Sequence, residues 1–125
     1  MNFTVTAVAT SIAALILGLF WLFAGSVLLK RWGLEANALG LLVGRRLGAA
    51  YLGIAMMLFL GRSAPPSELR SSVSIAMLAA LVLLALLGLI ELKAKRVGSG
   101  ILVSVAAELV LAAGFATALL AGSTT

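Results

Sequence analysis

The chain of 125 residues is 63% hydrophobic and 10% charged, with a mean hydropathy of +1.24. A soluble domain carries about a quarter charged residues, and nine Lys and Arg with four Glu are too few to clothe a water-soluble protein of this size. There is no Cys, His or Asp, which removes disulfides, thiolate and imidazole ligands for metal or haem, and Ser-His or Cys-His nucleophile pairs; no metal and no cofactor are expected.

Four apolar runs predict four transmembrane helices, at 5–29, 44–62, 73–92 and 101–122, in one domain covering residues 1–125. The first lacks the basic segment before its apolar run that a signal peptide carries and is too long for one, so it is expected as a retained helix, with no breaker in it except Gly18 and Gly25. Thr6, Thr10 and Ser11 near its start are tolerable in lipid, because their hydroxyls can bond back to carbonyls of the preceding turn. The second run is uninterrupted only over 47–61, about 22 Å at 1.5 Å per residue. It therefore takes in its flanks, with Arg45 and Arg46 at one end and Arg62 at the other reaching to the interfaces.

The connection from Lys30 to Gly44 places Trp32 beside two cations and is otherwise largely apolar, which suggests a short interfacial helix burying Leu39, Leu42 and Val43. In the next connection Pro65 and Pro66 stop the second span, and Ser67 is placed to cap the helix that follows. Glu91 stands four residues before Lys95, the spacing of a weak helical ion pair. The turn Gly98-Ser99-Gly100 makes the third and fourth spans antiparallel neighbours. Lys30, Arg31, Arg45, Arg46, Lys93, Lys95 and Arg96 fall at one end of the spans, and Arg62 and Arg70 at the other. By the positive-inside rule both termini face outward. The seven cations are expected to meet anionic lipid head groups, and no nucleic acid is expected as a partner.

Small residues recur at four-residue spacing in Ala14 and Gly18, Ala49 and Gly53, and Ala112 and Ala116. They let helix backbones approach closely, chiefly inside one bundle and alternatively between copies. Phe20, Trp21 and Phe23 lie too deep for an interfacial belt and read as core filling, or as the wall of an apolar pocket. Met56, Met57 and Met77 read as gap fillers.

Glu108 is the one acid inside a span, about 12 Å beyond Gly100 along the last helix. A carboxylate there costs at least about 2.5 kcal/mol on insertion scales, so it is expected to face the bundle. Gly100, Ser104, Glu108, Ala112 and Ala116 recur every fourth residue and give that helix a small, polar stripe. Depth nominates Tyr51 and Arg46 as partners. Three readings are open: a structural pair through Tyr51 or Arg46, a site for a proton, cation or amine, or a carboxyl merely accommodated in the core.

The stretch Arg45-Arg46-Leu-Gly-Ala-Ala-Tyr51-Leu-Gly53, with the span count, resembles the small four-helix inner-membrane proteins of bacteria that are broadly DoxX-like. The resemblance implies four membrane helices and a multi-pass protein of a bacterial inner membrane, and carries no activity with it. The fold expected is all-α, an antiparallel up-and-down four-helix membrane bundle. The first functional expectation is a non-enzymatic accessory subunit or scaffold, acting by helix contacts on another membrane protein or on copies of itself. The alternative is a small transporter or binding protein for a lipophilic or cationic molecule, with Glu108 as charge partner and Phe20, Trp21 and Tyr51 around it. A lipid-modifying enzyme ranks last, since only Glu35, Arg31, Arg45 and Arg46 offer acid, base or clamp at head-group level.

Overall fold

A computed structural model describes residues 2–123 and is all-helical among them. The helices are α1 (Phe3–Phe23), α2 (Gly25–Arg31), α3 (Ala38–Leu60), α4 (Glu68–Lys93) and α5 (Ile101–Ser123). The four long ones, α1, α3, α4 and α5, are long and apolar enough to cross a membrane. They alternate up and down, as a multi-pass membrane bundle.

Three helix starts are fixed by side-chain caps, which satisfy backbone donors that lipid cannot. Asn2 accepts from the Val5 N–H at 2.8 Å, Asn37 from the Gly40 N–H at 2.7 Å, and Ser67 from the Arg70 N–H at 3.2 Å. The Asn37 cap corrects the second span. Residues 38–43 do not form a separate interfacial helix but the first turns of α3, so this span is not short, and it ends at Leu60 rather than 62. Arg45 and Arg46 consequently lie about 10 Å up the helix from its start, and both are exposed. The Ser67 cap likewise starts α4 at Glu68, ahead of the expected residue 73.

The first span is also corrected. It begins at Phe3 and breaks at Ala24, whose backbone (φ −142°, ψ 37°) leaves the helical region before the chain resumes as α2. An unbroken helix over 5–29 is therefore not what forms.

α1 packs along α3, α4 packs along α5, and these two hairpins meet mainly through α1 and α5. The first hairpin closes on glycines. A side-chain carbon on Gly48 would stand 2.8 Å from the Gly18 carbonyl oxygen, and one on Gly44 would run into the Trp21 indole. Gly18 is thus at an interface as its spacing predicts, but its partners are Gly48 and Leu52; Ala49 is exposed, and open space surrounds Gly53. In the second hairpin Gly88 admits the Val105 side chain.

One end of the bundle is sealed by a core of Phe3, Ala7, Leu58, Leu81, Ala112 and Phe115, with the two phenyl rings edge to face at 6.5 Å. There the Thr4 hydroxyl donates to the Arg62 carbonyl at 2.8 Å, and the Arg70 guanidinium lies 4.4 Å from the Phe3 ring centre. At the opposite end the Gly98 N–H donates to the Trp32 carbonyl at 2.8 Å, joining the α2–α3 and α4–α5 connections. The expected Glu91–Lys95 pair does not form. Lys95 takes a positive φ of 61°, which ends the helix and swings Arg96 back onto Glu91 at 2.6 Å. The hydrogen bond it donates to that carboxylate, together with the carboxylate's charge, makes the Arg96 guanidinium still more basic.

Candidate functional site

Between the sealed core and the joined connections, the hairpins leave a cavity of about 390 Å³ walled by all four spans. That is near the lower end of the roughly 300–1,000 Å³ usual for small-molecule sites. Its walls are largely aliphatic, and its polar groups are few: Glu108 and Ser104 from α5, Tyr51 from α3, Thr10 from α1, and Arg31 toward the charged end. Ile16 (51% exposed), Leu84 and Val103 (70% exposed) border it and also face outward. The cavity therefore opens sideways, in the apolar belt, as well as being flanked by the cationic end.

The stripe expected on the last helix is present where it matters, since Gly100, Ser104 and Glu108 all line the cavity. The Ser104 hydroxyl donates to Glu108 Oε1 at 2.5 Å, one turn away on the same helix. Glu108 Oε2 is buried with no hydrogen-bond partner. Thr10 lines the cavity from α1, and its hydroxyl, in a side chain only 3% exposed, is also buried and unpartnered. That sets Thr10 apart from the other buried helical hydroxyls. Thr6 donates to the Asn2 carbonyl, Ser11 to Val8 and Ser74 to Arg70, each at 2.7–2.8 Å. Tyr51 lines the same cavity from α3, and its hydroxyl has no hydrogen bond among the described residues.

Two expected site residues are elsewhere. Arg46 does not line the cavity and makes no ion pair with Glu108; the ion pair seen among the described residues is Arg96–Glu91. Arg46 and Tyr51 are five positions apart, about 140° around a helix of 3.6 residues per turn, so α3 cannot present both to one neighbour. Trp21 faces α3, buried in the slot left by Gly44 and Gly48. The cavity indole is Trp32, whose ring centre is 5.7 Å from that of Trp21. Phe20 and Phe23 are exposed and border no part of it. Among the polar and aromatic lining residues, Thr10, Arg31 and Trp32 are the ones that spacing did not place at this site. Thr10 carried one signal, a hydroxyl deep in an apolar run.

Of the cations expected at head-group level, Lys30 and Arg31 end α2, Lys93 ends α4, and Lys95 and Arg96 lie in the turn after it, all exposed. At the other end a second hollow of about 650 Å³ lies between residues 66–75 and α5. Of its polar groups, Ser67 caps α4, Ser74 bonds to the Arg70 carbonyl, and Arg70 donates to the Ala64 carbonyl at 3.0 Å; Glu68, Ser71 and Ser72 also line it.

Comparison with protein-family models, with curated proteins and with solved structures gives no match. No relative's chemistry bears on the cavity.

Proposed function

We propose that this protein is a non-enzymatic membrane receptor or carrier that binds a lipophilic cation in the cavity beside Glu108. The observation that carries the reading is the unpartnered Glu108 Oε2 in a largely aliphatic, side-opening cavity. Leaving a buried carboxylate oxygen without a partner is costly in a low-dielectric site. A cation brought by an apolar ligand offsets that cost, and the ligand's chain takes the aliphatic walls. The break between α1 and α2 fits a carrier, for which a discontinuous helix beside the site supplies a movable wall. Leu28 and Arg31 of α2 belong to that wall. We read both termini as facing outward on the charge asymmetry between the two ends, and take the bacterial inner membrane from the resemblance to DoxX-like proteins.

The test is a titration of the full chain in lipid nanodiscs with decylammonium, followed by tryptophan fluorescence and corrected for partition into protein-free discs. Saturable quenching is expected, lost in Trp32→Phe and weakened at least about tenfold in Glu108→Gln. Non-saturable quenching, identical in all three chains, would refute the reading.

A second reading, an accessory subunit or scaffold that packs on another membrane protein or on a second copy, is favoured by the outward face of α3. There Ala49 is exposed and nothing lies within 4 Å of a carbon added to Gly53, the kind of surface on which helices approach closely in lipid. Crosslinking of an Ala49→Cys chain in native membranes tests it; adducts confined to monomer would remove it.

A further inference from the structure

We infer that the charged end of the ligand is a primary ammonium, R–NH3+, and that the site discriminates against a quaternary ammonium on the same chain. This rests on the reading of the cavity as a cation site and specifies which cation.

Three side chains that line the cavity, each from a different span, carry an oxygen without a protein hydrogen bond: Thr10 Oγ1 on α1, the Tyr51 hydroxyl on α3 and Glu108 Oε2 on α5, the first and last of them buried. The other carboxylate oxygen, Oε1, already accepts from Ser104, which leaves Oε2 as the charged acceptor. A primary ammonium brings three N–H donors, one for each oxygen. Thr10 is free to accept because its hydroxyl has not made the bond back to its own helix that Thr6 and Ser74 make. A quaternary ammonium has no N–H to give. It is held instead by the faces of several aromatic rings, and the rings bordering this cavity are only those of Trp32 and Tyr51. Its methyl groups would also cover Thr10 Oγ1 and Glu108 Oε2 and leave both unpaired, and a site whose polar groups are left unpaired rejects the ligand that does so.

The experiment compares decylammonium with decyltrimethylammonium on the full chain in nanodiscs, each corrected for partition into protein-free discs. The primary amine is expected to bind at least about tenfold tighter, one charge-assisted hydrogen bond being worth that much or more. Thr10→Val, which keeps the side chain's shape, and Tyr51→Phe should each shrink that ratio severalfold, and either suffices should the other fail to fold. Equal affinities, or tighter binding of the quaternary ion, overturn the primary-ammonium assignment and leave the cation site standing. Binding of neither ion overturns the cation site itself.

Discussion

The Trp32 carbonyl accepts the Gly98 N–H at 2.8 Å, and this single bond ties the two hairpins together at the charged end of the cavity. The junction is tight. Gly33 holds a φ of +74° beside Gly98, and Gly100 is pressed against the Arg31 carbonyl. Gly33→Ala should lower stability by about 1–2 kcal/mol, the cost of a left-handed conformation for a residue with a Cβ. Gly100→Val should be worse, because its side chain drives the connections apart. Thermal unfolding in mild detergent checks both, and a melting temperature unchanged in Gly100→Val would mean the two connections are not packed together.

The α1–α3 interface makes a prediction with an internal control. Gly48→Ala places a carbon 2.8 Å from the Gly18 carbonyl oxygen, whereas Gly53→Ala meets open space. The first should cost about 1–3 kcal/mol through overpacking, and the second should be neutral or slightly stabilising, since Ala is the better helix former. Denaturation of both variants in the same detergent decides it. Equal stability would place α3 in another register on α1.

Ser104 and Glu108 should respond differently to removal. Ser104→Ala takes away the donor to Oε1 and leaves the carboxyl without a protein hydrogen bond, for a loss of about 1 kcal/mol or more. Glu108→Gln keeps an acceptor for Ser104 and removes the charge, so its stability should equal or exceed that of the native chain while cation binding falls. Loss of folding in Glu108→Gln would make the carboxylate a structural element and not a binding group.

Topology can be read directly, because the chain has no native cysteine. Ser99→Cys lies in the turn before α5 and Ser63→Cys in the connection before α4, both exposed. An impermeant maleimide added to intact cells should label the second and spare the first. The reverse pattern would overturn the outward placement of the termini.

Most of the architecture was legible in hydropathy alone, because a span's length and apolarity are set by the bilayer and not by its neighbours. The start of α3 was missed for a local reason: Asn37 caps a helix whose first turns, Ala38 to Val43, resemble an interfacial strip in composition. The break at Ala24 had no marker beyond Gly25, a residue that helices in lipid tolerate. Glu108 stood out because a lone carboxyl in an apolar helix is costly, and its face followed from four-residue spacing to Ser104 and Gly100. Its neighbours across the cavity did not follow. Thr10 and Trp32 are brought there by the way the two hairpins splay, and no periodicity within one helix encodes that. Arg46 shares a depth with the site but not a helix face, which is why depth alone nominated it wrongly.

The claim at the centre is that a lipophilic cation binds inside the bundle at Glu108, and photo-crosslinking tests where it sits. A decylamine derivative with a diazirine in its chain, irradiated with the protein in nanodiscs and mapped by mass spectrometry, should mark the cavity segments of α1 and α5, around Thr10 to Leu17 and Val103 to Leu111. That labelling should be competed by decylammonium and lost in Glu108→Gln. Labelling of the outward faces, at Met56 on α3 or Leu83 on α4, that persists in Glu108→Gln would contradict it.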